Sequence, residues 1–178
     1  MIICEINGIQ YEFLHDFSIS EQAGNKTASD ISVKVDTQPV PKAGDVIELI
    51  DDSTQESIFL GTCGIPTSPK YETGNEENIY SIVCGNANSL LAYRIINVAY
   101  QNETTTAIVN DLYIRYIAEE GISLGQISEV DVTYDVYTAA DYNLQDALNE
   151  LADQVGAIWR VTNDRVFEFI VEAGFKVL

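Results

Sequence analysis

The sequence predicts an α+β chain in which an antiparallel β-barrel or sandwich comes first and two helices on a short sheet follow. Three observations carry this. In the first half apolar and polar residues alternate, as in Ile31-Ser32-Val33-Lys34-Val35, the period of a half-buried strand. Turn residues recur between those runs, with Asn7-Gly8 the strongest of them. Beyond Thr104 the apolar period lengthens to about 3.6 residues, the period of a helix. The change divides the chain into a β-barrel domain at 1–98 and an α/β domain at 99–178, with the second packing over 103–171.

Taken in order, Ile2, Ile3, Cys4 and Ile6 form a first strand, Asn7-Gly8 a tight turn, and Ile9 to Phe13 the return strand. Phe17 and Ile19 continue the pattern, and Gln22 to Asp30 reads as a polar loop. Ile31, Val33 and Val35 make the next strand. Pro39, Pro41 and Gly44 turn the chain into Val46, Ile47, Leu49 and Ile50. Asp51-Asp52-Ser53-Thr54 is a turn, Ile58 to Cys63 a strand, Pro66 to Asn78 a polar loop, and Ile79 to Cys84 the closing strand. Gly85-Asn86 leads into a short turn with Leu90 and Leu91.

The first helix opens between Asn102 and Thr106, with Thr104, Thr105 or Thr106 as the capping hydroxyl. Its stripe is Ile108, Val109, Leu112, Tyr113, Tyr116 and Ile117, and Gly121 ends it. Ile122 to Val130 reads as a connector, and Val132, Tyr134 and Val136 as a strand. Asn143 or Asp141 caps the second helix, whose apolar positions are Leu144, Ala147, Leu148, Leu151 and Val155 before Gly156. Ala157 to Val161 and Val166 to Ile170 form a hairpin. The final AGFKVL reads as a point where a further strand or a longer chain would continue.

The formal net charge is -19, from 9 basic and 28 acidic residues. Such a surface repels phosphate and anionic lipid, so no high-affinity nucleic-acid binding is expected. No apolar run approaches the length of a membrane span, so no membrane insertion is expected either. Cys4, Cys63 and Cys84 lie in apolar runs without a CxxC pair, which points to buried, reduced thiols. No cofactor or metal site is expected, since the DxD-like Asp131…Asp135 lacks the glycine and glutamate of a calcium loop.

No catalytic residues are assigned. No nucleophile elbow, phosphate loop or zinc helix is present, and His15 has no Cys or Ser motif beside it. Asp51-Asp52 and Glu76-Glu77 could serve a hydrolase as paired carboxylates, although polar turns favour solvated charge. Glu119-Glu120 sits against the dipole of the first helix and hints at a partner or bound cation, although a frayed, solvent-facing end is the plainer reading. Arg94, in an apolar context, reads as a satisfied structural cation. Ten tyrosines stand out, and Tyr93, Tyr100, Tyr113, Tyr116, Tyr134 and Tyr137 are the candidate interface, because a ring with a polar tip suits such a place. Packing at the edge of a small core and a carbohydrate- or peptide-binding groove are the competing roles.

One further signal is the order of several short motifs. They are Gly44-Asp45-x-Ile47-x-Leu49, Ile58-Phe59-x-Gly61, Leu90-Leu91-x-Tyr93-Arg94-x-Ile96, Tyr100-x-Asn102-x-Thr104, Ile108-Val109-x-Asp111-Leu112 and Glu120-Gly121-Ile122. Leu144-x-Asp146-Ala147-Leu148-x-x-Leu151-Ala152-x-x-x-Gly156-x-x-Trp159 completes the set. Together they resemble the N-terminal part of phage tail hub proteins, the baseplate-hub or tail-associated proteins of tailed phages and tail-like particles. The resemblance implies a tail-tube-like barrel followed by the α/β portion, and no catalysis here. It implies a virion structural protein, assembled in the bacterial cytoplasm, that joins tail tube to tip. Partners would be tube, distal tail, tip or fibre proteins. A homotrimer is expected at full length and a monomer for this stretch alone. A second barrel, or a lytic or fibre domain, would follow Leu178. In such a ring Asp30, Asp36, Asp45, Asp51, Asp52 or Glu56 would face the DNA route and let it slide; the competing reading spreads the charge over the outer surface for solubility alone.

Overall fold

The computed structural model describes residues 1–14, 17–22, 25–35, 38–67, 79–130 and 132–171. His15, Asp36, Glu76, Glu77, Asp131 and the terminal AGFKVL lie outside the described residues. Two compact units form, Met1–Leu90 and Leu91–Leu178.

The first unit contains strands β1 (Ile2–Ile6), β2 (Ile9–Leu14), β3 (Ser18–Gln22), β4 (Asn25–Lys34), β5 (Val46–Asp51), β6 (Glu56–Cys63) and β7 (Ile79–Gly85). They hydrogen-bond in the order β2-β1-β5-β6-β7-β4-β3, and β2 also pairs with β4. That extra pairing closes six antiparallel strands into a barrel and leaves β3 as a flap on β4. Closure resolves the choice between barrel and sandwich, and it removes the sheet edges that would otherwise invite association.

Alternation fixes which side chains fill the barrel. Cys4 and Ile6, Ile31, Val33 and Val35, Ile47 and Leu49, and Ile82 and Cys84 all point inward and are buried, with Phe59 and Cys63 from β6. The Asn7-Gly8 turn forms with φ of 50° and 74° at its two residues, the left-handed pair that suits strand twist. Asn7 does more than turn the chain. Its amide nitrogen donates to Val46 O at 2.8 Å and its Oδ1 accepts from Val46 N at 2.9 Å, extending the β1–β5 ladder by one rung. Where the sequence suggests a polar loop over Gln22–Asp30, β4 already begins at Asn25, because its register with β3 runs from Ser18↔Ser29 to Gln22↔Asn25.

Gly61 marks a close approach. A Cβ there would stand 1.9 Å from Gly85 O, so only glycine lets β6 and β7 meet at this seam. Their pairing is short, Thr62↔Gly85 and Cys63↔Cys84.

The second unit contains β8 (Ile95–Thr104), α1 (Thr105–Leu112), β9 (Ser123–Ile127), β10 (Thr133–Asn143), α2 (Leu144–Val155), β11 (Ala157–Val161) and β12 (Val166–Val171). β8 and β10 form a two-stranded antiparallel ribbon, while β11-β12-β9 form a sheet in which β12 and β9 run parallel. The units divide between Leu90 and Leu91 rather than at 98/99, because β8 pairs with β10 along its whole length. Ile95–Val98 thus belong with the ribbon. β8 also runs on to Thr104, through a left-handed Asn102 with φ 54°, so no helix opens at Asn102.

The three threonines that follow have separate tasks. Thr104 caps α1, its Oγ1 accepting from Ala107 N at 3.2 Å. Thr105 donates its amide to Val132 O at 2.9 Å. Thr106 Oγ1 accepts from Val130 N at 2.7 Å and pins the connector. After Leu112 the helix widens into a π-turn over Tyr113–Ile117, then tightens into a short 3-10 turn at Ala118–Glu120 before Gly121 at φ 71°. The single α-helix expected up to Gly121 is thereby modified. The reason is spacing: Leu112 and Ile117 are both fully buried and five residues apart, which suits an i→i+5 turn.

α2 follows its pattern closely. Asn143 Oδ1 caps it by accepting from Gln145 N at 2.8 Å, and Gly156 ends it at φ 64°. Leu144, Ala147, Leu148, Leu151 and Val155 are buried, where α2 packs on β10 and β11. Trp159 Nε1 donates to Asn149 Oδ1 at 2.8 Å, satisfying the buried indole. The stretch Ser123–Ile127, expected as connector, is β9. Gly125 permits it, since a Cβ there would come within 2.6 Å of Val166 Cγ1 and 2.8 Å of Phe167 O. Among the described residues no helix is long and apolar enough to cross a membrane.

Candidate functional site

The candidate surface lies on the second unit, and the ribbon sets its geometry. Alternation gives β8–β10 a buried side, with Ile96, Val98, Tyr137 and Ala139, and a solvent side, with Ile95, Ala99, Val136, Thr138 and Ala140. A bulge between Ala140 and Tyr142, with Asp141 at φ 51°, tightens the twist near the end. Asn97 clamps the bulge: its Oδ1 accepts from Asp141 N at 2.8 Å.

The structure divides the six candidate tyrosines into three groups. Tyr93 is 71% exposed. Tyr100, Tyr134 and Tyr137 pack together against the ribbon, with ring centroids 6.3 Å apart for Tyr100–Tyr137 and 5.6 Å for the edge-on Tyr134–Tyr137 pair. Tyr137 is only 5% exposed, and among the described residues the buried hydroxyls of Tyr134 and Tyr137 have no hydrogen-bond partner. Burial first, then the Glu150 charge, pushes the Tyr137 phenol up from its ordinary range. Tyr113 and Tyr116 are half-buried beside α1. Tyr113 stacks on Phe167 at 6.2 Å and donates to Ile122 O at 3.2 Å. The Arg115 guanidinium lies 5.2 Å over the Tyr116 ring.

A chain of polar contacts ties α1 to the ribbon. Tyr100 Oη donates to Asp111 Oδ2 at 2.7 Å, and Arg115 NH1 donates to the same oxygen at 3.2 Å. Tyr116 Oη accepts from Arg115 NH2 at 3.2 Å and donates to Asn97 O at 3.5 Å. Arg94 forms a second tie, bridging Glu120 and, at 3.5 Å, Glu119. The cation hinted at by two carboxylates at a helix C-terminal end is thus Arg94. Neither end of that pair could name the other from sequence, because the contact spans 26 residues.

Asp51 of the Asp51-Asp52 pair is held below the usual carboxylate range, first by the Ser53 hydroxyl and then by the Ser53 amide, whereas a general acid needs a raised value. The rings of Tyr100, Tyr134 and Tyr137 pack on one another. Among the described residues no three His, Cys, Asp or Glu side chains are placed to share a metal ion. The buried thiols make a compact group inside the barrel: Cys63 and Cys84 face each other across β6–β7, and burial followed by the Cys63 charge pushes the Cys4 thiol up to about 12. Ile95 and Val136 stand exposed on the solvent face of the ribbon; Val136 falls in the strand the sequence suggests over Val132–Val136, whereas β8, which carries Ile95, was not legible.

No family model matches the sequence, and no curated protein matches it. Solved structures do share its fold. The 43 kDa tail protein of prophage MuSo2 from Shewanella oneidensis superimposes with a TM-score of 0.64 at 16% identity, over 94% of this chain and 53% of that one. The tail protein from Neisseria meningitidis MC58 gives 0.64 at 14% identity, over 94% and 49%. The E. coli c3393 protein, a component of the type VI secretion system with structural similarity to the T4 bacteriophage tail proteins gp27 and gp5, gives 0.66 at 17% identity, over 94% and 48%. The chain spans about half the length of each of these structures.

Proposed function

We propose that this chain is a structural component of a phage tail or tail-like particle, a hub or baseplate protein that joins the tail tube to the tail tip. What supports the reading is a fold shared over 94% of the chain with two tail proteins and a tail-like secretion component. A closed barrel with no free edge among its six strands suits a rigid ring element. The role is non-catalytic, in keeping with the low value of Asp51 and the internal packing of the tyrosines.

In this role the partners are the tube, distal tail, tip or fibre proteins, and the full-length protein is a homotrimer in a virion assembled in the bacterial cytoplasm. The exposed Tyr93 and the half-buried Tyr113 and Tyr116 contribute contact, with the packed rings of Tyr100, Tyr134 and Tyr137 beside them on the ribbon. The acidic surface lets DNA pass without sticking. Asp51, Asp52 and Glu56 cluster at the β5–β6 turn, and at physiological salt only carboxylates within about 8 Å of the DNA act on it.

Deleting the gene from its host and imaging the particles tests the role. Tails should be lost, or tubes should appear without an attached tip, and expression in trans should restore them. Intact, infectious or contractile particles from the deletion strain would overturn it.

A further inference from the structure

The three thiols of the barrel form a pair and an outlier. Cys63 of β6 and Cys84 of β7 stand directly opposite one another. Both project into the barrel core, 1% and 3% exposed, and their thiols are hydrogen-bonded to each other. Cys4 lies on β1, where its paired neighbours are Tyr11 and Leu49 rather than a cysteine.

The backbone fixes what kind of pair this is. Both main-chain groups of Cys63 turn toward β5: its amide donates to Asp45 O at 2.7 Å, and its carbonyl accepts from Gly44 N at 2.8 Å. Toward β7 the bond is made one residue on, from Gly64 N to Val83 O at 2.7 Å. Cys63 and Cys84 are therefore a non-hydrogen-bonded antiparallel pair, the kind whose Cα atoms lie about 4.5 Å apart with side chains close. A disulfide bridges Cα separations of about 4.4–6.8 Å, and this pair falls within that range. The seam it spans is short. β6 and β7 pair at Thr62↔Gly85 and Cys63↔Cys84, whereas β5 and β6 pair from Val46↔Thr62 to Asp51↔Glu56.

Burial decides when such a bond can form. A soluble disulfide reagent does not reach thiols at this depth, so exchange belongs to the open chain, and the closed barrel shields thiols and bond alike.

We propose that Cys63 and Cys84 are a redox modification site, closed to a disulfide when the chain folds with a low-molecular-weight disulfide such as oxidised glutathione, and then kept in that state by the barrel. In the open chain one cysteine thiolate attacks a sulfur of the reagent, forming a mixed disulfide and releasing one glutathione thiolate. The second cysteine thiolate attacks the protein sulfur of that mixed disulfide and releases the other. The two cysteine protons end on the two glutathione thiols; the protein is oxidised by two electrons and the reagent reduced by two. Cys4 stays a thiol. The inference rests on the barrel alone and not on the tail role.

The test refolds the full chain from urea in a glutathione buffer, alkylates the remaining thiols in denaturant, and maps the linkage by mass spectrometry. One disulfide per chain should join Cys63 to Cys84, exceeding the two pairings that use Cys4 by at least about tenfold. With urea kept in the same buffer that preference should collapse. The oxidised protein should unfold at higher urea than the reduced one. A reductant should remove the difference when added with denaturant, but not over the same time when added to the native protein. Cys4→Ala should keep the bond and Cys84→Ala should lose it. Pairings through Cys4, no disulfide, or an oxidised form with a lower midpoint would overturn the proposal. An unchanged preference in urea would assign the bond to proximity along the chain, and equally fast reduction of the native protein would deny the shielding; either result overturns it too.

Discussion

Tyr100 of β8 donates its hydroxyl to Asp111 of α1 at 2.7 Å, and that bond holds the first helix against the ribbon. Asp111 also accepts from Arg115 at 3.2 Å, so the carboxylate stays partnered if the phenol is removed. Asp111 is 40% exposed, which limits the energy at stake to less than a buried charged bond would give. Tyr100→Phe should cost about 1 kcal/mol in urea unfolding. Burial first, then the bond to Asp111, raises the Tyr100 phenol above its ordinary value. Asp111→Asn should therefore bring its ultraviolet-detected ionisation to lower pH; an unchanged titration would contradict the geometry.

The second helix offers a plainer test. Leu148 is fully buried, as are Leu144 and Leu151 on the same stripe. Leu148→Ala removes buried methyl groups and leaves a cavity, and should cost about 2–5 kcal/mol. Denaturant unfolding monitored through Trp159, which packs at this face, is the measurement. A variant matching the parent would place the helix elsewhere.

Two glycines should fail for different reasons. At Gly61 an added methyl meets Gly85 O at 1.9 Å, and backbone must move at the β6–β7 seam. At Gly8 nothing lies within 4 Å, but φ is 74°. Gly61→Ala should lose about 3 kcal/mol or more, whereas Gly8→Ala should lose about 1 kcal/mol. Gly8→Asn, which tolerates the left-handed region, should recover part of the second loss and no analogous change should rescue the first.

Much of this architecture was legible, and the parts that were not share a physical cause. β1, β2, β5 and α2 each combine a clean period with a strong boundary, such as Asn7-Gly8 or Asn143 and Gly156. Local signals and tertiary packing agree there. β8 was hidden because Asn102 breaks its alternation with a left-handed residue. β9 was hidden because Gly125 carries no side chain to alternate, and its place is set by the fit against Val166 and Phe167. The Arg94–Glu120 pair and the cluster of Tyr100, Tyr134 and Tyr137 are long-range contacts, which no local window contains. Thr104 as the cap, by contrast, was one of three adjacent choices.

The thiols of the barrel core should be unreactive in the native protein. Cys4, Cys63 and Cys84 are buried, and burial raises Cys4 to about 12 and raises Cys84 as well, the latter first through its hydrogen bond with Cys63. A folded pKa above the unfolded one favours the protonated thiol, so this stabilisation is full below about pH 8.5 and declines as pH rises toward 12. A thiol reagent at neutral pH should label none of the three until denaturant is added. Unfolding midpoints should fall from neutral to strongly alkaline pH. Rapid native labelling would mean that the β6–β7 seam opens.

The most direct test of the tail assignment is the content of purified particles. Tails or tail-like particles from the bacterium that carries the gene can be isolated and quantified by mass spectrometry against their tube protein. This chain should co-purify at a fixed ratio far below that of the tube protein, as a component present once per tube end must. Its absence from particles with intact tube and tip, with the chain recovered only as free protein, would contradict the account.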